Sequence, residues 1–197
     1  MNHKTKRRNI LTVITLLVII AFVGCAVNNY LQYNLFYPLK HYNEVNMQTE
    51  KYNIDPFLIM SVIKAESNFK TDAVSNKNAT GLMQITPSTA QWAAEQMGLE
   101  AFNKADLEKP EINIQLGVWY VDYLLDYYNG HTQLALAAYN AGTGTVDGWL
   151  DANQVQEQGN MLTLPYKETS DYLVKINTYY KRYNQLYEKG NKPWWSF

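Results

Sequence analysis

Between Ile10 and Val27 the chain runs for 18 residues without a charge, interrupted only by Thr12, Thr15 and Gly24, and it does so directly after a tail carrying Lys4, Lys6, Arg7 and Arg8. Such a run cannot stay in water unpaired. As a helix it is about 27 Å long at 1.5 Å per residue, enough to cross a hydrocarbon core. The basic flank precedes it and the next charge is Lys40, so the positive-inside rule keeps the N-terminus in the cytoplasm and exports everything after residue 28. The chain therefore divides into a basic cytoplasmic tail (1–9), a transmembrane anchor or signal segment (10–27), a juxtamembrane stalk (28–44), one globular domain (45–189) and a C-terminal tail (190–197) that holds Trp194 and Trp195. Localisation at the cell membrane as a single-pass protein, with the domain on the extracytoplasmic side, is the expectation.

Two other readings share that topology. Phe22-Val23-Gly24-Cys25 resembles a bacterial lipobox, with Phe22 where Leu is preferred, which would make Cys25 a lipidation site. The small residues Gly24 and Ala26 would also suit a signal peptidase, giving a secreted product.

Charge and residue usage exclude several chemistries. Without the N-terminal tail the chain has 13 Lys and Arg against 18 acids, the wrong sign for a nucleic-acid binder. Cys25 is the only cysteine and lies in the apolar run, so the domain has no disulfide framework and no cysteine nucleophile. The histidines are His3, His41 and His131, with no HExxH or CxxC spacing, and no metal site or cofactor is expected. No GxSxG occurs either, which leaves carboxylate chemistry. The 16 Tyr, 5 Trp and 6 Phe suit sugar stacking, but each alone reads first as core or interface.

Helix signals dominate the exported part. Asp55-Pro56 predicts a capped helix running to Phe69, Thr86-Pro87 a second ending near Gly98, and Pro110 a long third ending at Asn129-Gly130. A short alanine-rich helix is expected over Thr132 to Asn140, irregular polar chain over 151–163, and a last helix from Pro165 to about Tyr187. No strand alternation stands out, so the fold is expected to be an all-α compact bundle of six to eight helices.

Glu66 is the conspicuous acid. Counting back by four and seven gives Val62 and Ile59, and counting forward by three gives Phe69, so its carboxyl projects from an apolar stripe near a helix C-terminus. Desolvation and the negative end of the helix dipole both disfavour its charge, which keeps it protonated near neutral pH, as a proton donor requires. The plain alternative is a structural ion pair with Lys64 or Lys70.

Four segments then resemble one family: Ile63-Lys64-Ala65-Glu66-Ser67-Asn68-Phe69, Ala79-Thr80-Gly81-Leu82-Met83-Gln84-Ile85, Ala137-Ala138-Tyr139-Asn140-Ala141-Gly142, and Leu164-Pro165-Tyr166-Lys167-Glu168-Thr169 followed by Tyr172. Their order and separations are similar to those of the soluble-type lytic transglycosylases, over residues 45 to 187. The resemblance implies a lysozyme-like, mostly helical domain that cleaves the MurNAc–GlcNAc β-1,4 linkage of peptidoglycan and forms a 1,6-anhydroMurNAc end. It implies Glu66 as the single catalytic acid and base, a hydrogen bond from Tyr139 to Glu66, Gln84 and Asn140 lining the sugar groove, and Ser67, Ser75 and Glu168 supporting or contacting substrate. Read as residues alone, Tyr139 could equally be helix core, Gln84 and Asn140 caps or turns, Ser67 a local hydrogen-bonder and Glu168 a first-turn acid. Where many members carry a methionine after the second segment, this chain has Thr86. Alternatives in function are a lysozyme-like muramidase with Asp72 or another acid activating water, a catalytically idle peptidoglycan-binding module, and a membrane structural protein. The expected partners are peptidoglycan glycan strands and, through residues 10–27, the membrane.

Overall fold

The structure, a computed structural model, describes residues 3–99 and 102–187. The C-terminal tail 190–197 lies outside the described residues. Two compact units divide the chain, one up to Leu39 and one from Lys40.

The first unit is a single helix, α1 (His3–Leu31), continued by a π-helical turn, Gln32–Phe36. The side chains from Ile10 to Val27 are exposed, Phe22 at 74%. Among the described residues, Asn9–Phe36 is long and apolar enough to cross a membrane by length and composition. Where a stalk was expected over 28–44, helix persists through Phe36. The reason is local: no Gly or Pro interrupts the chain after Val27 until Pro38, which disfavours helical backbone at Tyr37 (φ −134°, ψ 59°).

The second unit contains α2 (Tyr42–Tyr52), α3 (Pro56–Glu66), α4 (Pro87–Gln96), a 3₁₀ helix (Lys104–Glu108), α5 (Pro110–Tyr127), α6 (Thr132–Ala141), α7 (Thr143–Asp151), the hairpin β1 (Gln156–Gln158) and β2 (Met161–Thr163), and α8 (Lys167–Tyr187). It is all-α apart from that hairpin. The expected caps form: Asp55 Oδ1 accepts from the Phe57 amide at 2.8 Å, and Thr86 Oγ1 accepts from the Thr89 amide at 3.2 Å. The core is built from Ile59, Met60, Ile63 on α3, Ile114, Leu116, Leu124 on α5, and Leu173, Ile176, Tyr183 on α8, all essentially inaccessible.

Three expectations need correction. Helix α3 ends at Glu66, not Phe69, because Asn68 and Phe69 turn into left-handed backbone (φ 49° and 64°); Phe69 is buried from that turn instead of from a helical stripe. Helix α7 was not foreseen, since Gly144 and Gly148 weaken its local propensity; Val146 and Trp149, both buried, hold it by packing. The stretch 151–163 is not wholly irregular, because Gln156 to Thr163 folds into an antiparallel hairpin. Gly159 at φ 63°, followed by Asn160, was the turn signal, and Gln133 on α6 ties the hairpin down through Asn160 O and the Leu162 amide, each at 2.8 Å.

Candidate active site

Helix α8 grips α3 at both ends. Tyr180 donates its hydroxyl to Oδ2 of the capping residue Asp55, and at the far end Tyr172 donates to Glu66 Oε1 at 2.6 Å. Lys175, between them, donates to the Ala65 carbonyl at 2.8 Å. Glu66 is thus the last residue of α3, half-buried, with a single phenol for a hydrogen-bond partner and an ammonium nearby. Burial pushes its carboxyl from the ordinary 4.5 up to about 7; the Tyr172 hydrogen bond and the Lys175 charge pull the other way but lose. The structural ion pair considered above does not form with Lys64, which donates to Asn68 Oδ1 at 3.1 Å and lies over the Tyr179 ring, and Lys70 is exposed.

The segment Thr80 to Ile85 lies beside this carboxyl and is held by side chains from three directions. Ser67, just past α3, donates to the Leu82 carbonyl at 2.8 Å. Asn113 of α5 accepts from the Met83 amide at 2.8 Å and donates to the carbonyls of Thr80 and Leu107, both at 2.9 Å. Tyr139 of α6 donates to the Met83 carbonyl at 2.7 Å. Two glycines make that proximity possible. A Cβ on Gly81, whose φ is +81°, would stand 2.3 Å from Asn113 Nδ2, and a Cβ on Gly117 would stand 2.3 Å from Met83 Sδ. Leu82 and Met83 are buried, as simple packing requires.

The expected site residues fall into two groups. Tyr139 is beside Glu66, and burial, with the Glu66 charge second, raises its phenol well above the ordinary value, but its hydroxyl goes to Met83; the hydrogen bond to Glu66 comes from Tyr172 instead. The reason is reach: α8 presents Tyr172 directly to the end of α3, while the Met83 carbonyl occupies the Tyr139 hydroxyl. Gln84, half-buried in left-handed backbone (φ 48°), donates to the carbonyls of Ala73 and Gly81. Asn140 Oδ1 accepts from Thr169 at 2.9 Å, joining α6 to α8.

Ser67 is buried, with its hydroxyl committed to backbone, so it fixes the loop. Ser75 is exposed, and its hydroxyl accepts from the Lys77 and Ala79 amides, closing the turn before Thr80. Glu168 is exposed in the first turn of α8. Asp72 is exposed in the loop after α3.

Tyr172, Lys175, Thr169 and Asn113 were not singled out from the sequence. Tyr172 and Thr169 stood within the fourth matched segment without a role. Asn113 had a signal: with Gly117, Val121 and Leu124 it shares the inner stripe of α5, where a polar residue demands a buried partner. Among the described residues no group of three or more His, Cys, Asp or Glu could hold a metal ion.

Comparison with known proteins matches residues 43–162 to the model of the transglycosylase SLT domain. The soluble lytic murein transglycosylase of Escherichia coli K12 is 29% identical over 80% of this chain and 24% of that protein. The membrane-bound lytic murein transglycosylase C of Serratia proteamaculans is 31% identical over 74% of this chain and 47% of that protein. Among solved structures, the inactive Glu-to-Gln mutant of the lytic transglycosylase Slt from Pseudomonas aeruginosa superposes with a TM-score of 0.67 and 30% identity, over 76% of this chain and 24% of that one. The chain thus spans about a quarter of the length of the soluble relatives and about half of the membrane-bound one.

Proposed function

The chain belongs to the transglycosylase SLT domain family, and we propose that it cleaves the MurNAc–GlcNAc linkage of peptidoglycan as a lytic transglycosylase, with Glu66 as its single acid and base. The observation that carries this reading is the carboxyl of Glu66 itself: half-buried, bound by one phenol, and titrating at about 7. Such a group is protonated in an appreciable fraction at neutral pH and loses that proton readily, which is the requirement for an acid that must next act as a base. A pair of carboxylates is the ordinary arrangement for glycoside cleavage, and Asp72, exposed in its loop, is a poor second member.

In the proposed reaction Glu66 gives its proton to the bridging oxygen as the bond to MurNAc C1 breaks. The resulting carboxylate takes the proton of the C6 hydroxyl on the same sugar, and that oxygen closes on C1 to form the 1,6-anhydro ring. The hydroxyl's high effective concentration replaces a second protein carboxylate. Tyr172 orients the Glu66 carboxyl, and Lys175 steadies its charged form. In one relative a single Glu-to-Gln replacement gives an inactive enzyme, the behaviour expected when one carboxyl does this work. Gln84, Tyr139 and Asn140 are assigned to the substrate groove, while the contacts of Ser67 and Ser75 favour a supporting role; Glu168 is assigned to the substrate side of α8.

Residues 10–27 are proposed as an uncleaved single-pass anchor, with the 45–189 domain on the extracytoplasmic side, where its substrate lies. A membrane-bound relative and the exposed apolar helix support that placement. Digestion of purified peptidoglycan by the full chain, followed by mass spectrometry, tests the reaction. Anhydro ends are expected from the wild type and none from Glu66→Gln; reducing ends would replace the proposal with hydrolysis.

A further inference from the structure

Asp122 and Asp126 stand one turn apart on α5, a spacing at which like charges disfavour a helix, and Asp126 falls in its last turn, where the dipole also opposes an anion. No basic residue occurs in that turn, and neither carboxyl has a hydrogen-bond or ion-pair partner among the described residues. Burial, and then the charge of Asp126, push the half-buried Asp122 carboxyl above its ordinary value. The proposed chemistry uses neither acid. Helix α5 thus carries a pair of like charges that nothing in the described residues compensates.

Both acids line a pocket of about 470 Å³, and Asp55 adds a third carboxylate to it. No Lys, Arg or His is among the described residues that line it. Leu136 of α6 with Leu173 and Ile176 of α8, all buried, give the pocket an aliphatic base, while the exposed Asp55 and Asp126 mark its mouth. Asn177, half-buried in the same wall, offers a side-chain amide. Glu66 does not line this pocket: it ends α3, and Asp55 caps the other end, about 16 Å away along the axis at 1.5 Å per residue.

An apolar base under a negative mouth selects a ligand with both characters, a large apolar group and cations beside it. Glycan is neutral and has nothing to give the carboxylates. A peptide stem brings carboxylates of its own, which three aspartates repel, and no large apolar side chain. Among the described residues no group of three or more acids could hold a metal ion. A stretch of protein chain with a leucine or phenylalanine flanked by lysines or arginines meets every condition, and Asn177 can bond its backbone.

We infer that this pocket docks a basic segment of a partner protein, with one large apolar side chain seated on Leu136, Leu173 and Ile176 and flanking lysines or arginines paired with Asp55, Asp122 and Asp126. A cation brought to Asp122 replaces a partly desolvated like-charge contact with an opposite-charge one, so the attraction is strong at low salt and fades as salt rises. Docking at this end of α3 leaves Glu66 open, so the partner positions the domain without blocking it. The inference does not depend on the proposed reaction.

The test uses the full chain in detergent and, as the probe, a fluorescent, acetylated and amidated Lys-Lys-Leu-Lys-Lys peptide read by anisotropy. Asp122→Asn combined with Asp126→Asn is expected to weaken binding about tenfold. Thr132→Trp, which fills the pocket from an exposed lining position and leaves every carboxylate in place, is expected to weaken it similarly with an unchanged melting temperature. Replacing the central leucine of the probe by alanine should also cost about tenfold. Glu111→Gln with Asp151→Asn removes the same charge away from the pocket and should leave the affinity unchanged.

No binding, or binding that both pocket variants leave unchanged, overturns the inference. So does an equal loss in the Glu111 and Asp151 pair, which would mean a general attraction to an acidic chain. Displacement of the probe by a soluble peptide stem would give the pocket to the substrate instead, and self-association that Thr132→Trp abolishes would give it to a second copy; either overturns a separate partner. Peptidoglycan cleavage by Thr132→Trp is expected at the wild-type rate, and its loss would overturn docking that leaves Glu66 open. The two readings fail separately: pocket-dependent peptide binding by a chain that releases no anhydro ends loses the proposed reaction alone.

Discussion

The two ends of α3 each present a carboxyl to a tyrosine of α8, yet they behave as different chemical objects. Asp55 is exposed, caps the start of the helix, and accepts the Phe57 amide and the Tyr180 hydroxyl. Glu66 ends the helix, is half-buried, receives only the Tyr172 hydroxyl, and is pushed up to about 7 by burial. The same tyrosine-to-carboxylate contact therefore fixes a cap at one end and orients a titrating acid at the other. Partner identity does not set the role of a carboxyl here; desolvation and the number of amides it accepts do.

The sharpest way to break that comparison is a pair of isosteric changes. Glu66→Gln is expected to cost roughly 10² to 10⁴ in the rate of peptidoglycan cleavage, the range for a general acid, while Asp55→Asn leaves the rate within a few-fold. Similar losses in both, measured by release of soluble fragments, would mean that the two ends are not distinct.

A second test uses stability against pH. The folded-state pKa of Glu66 is raised, so the native chain binds this proton more tightly than the unfolded one, and stability falls as pH rises from about 4.5 to about 7 before levelling off. At 1.36 kcal/mol per pH unit, and allowing for partial exposure, the contribution is roughly 2 to 3 kcal/mol. Chemical denaturation at pH 4 and pH 8 should show that Glu66→Gln gains this much on the wild type at pH 8 and nothing at pH 4.

Asn113→Ala probes the loop beside the acid. It strips partners from the Met83 amide and from the Thr80 and Leu107 carbonyls, and is expected to cost about 2–3 kcal/mol by urea denaturation, with activity falling as the loop loosens. Asp55→Ala should cost about 1 kcal/mol, as loss of an N-cap does. Tyr172→Phe should have the smallest effect on stability, yet it removes a contact that lowers the Glu66 pKa. The high-pH limb of the pH–rate profile should therefore move to higher pH, and a limb that stays in place would separate Tyr172 from the acid.

Much of this was legible in the chain, and the reasons are local. Asp55-Pro56 and Thr86-Pro87 announce helix starts because a side-chain acceptor and a fixed φ act within a few residues. Glu66 stood out because an acid on an apolar stripe is visible from spacing alone. What misled was also local. Two glycines concealed α7, whose stability comes from burying Val146 and Trp149, and the helical count from Glu66 to Phe69 crossed a left-handed turn that no periodicity reveals.

By itself the sequence determined the apolar run at 10–27, the all-α character of the domain, and the acid to which the proposed chemistry is assigned, because periodicity, capping and hydropathy are carried by neighbouring residues. Only the tertiary structure decided which phenol reaches that acid. Tyr172 lies 106 residues away from Glu66, and Tyr139, the partner expected from resemblance, is engaged by the Met83 carbonyl. The height to which the carboxyl's pKa rises was decided there too, since it depends on how much water α8 and the Thr80–Ile85 segment exclude, and that is a property of packed surfaces with no counterpart in spacing.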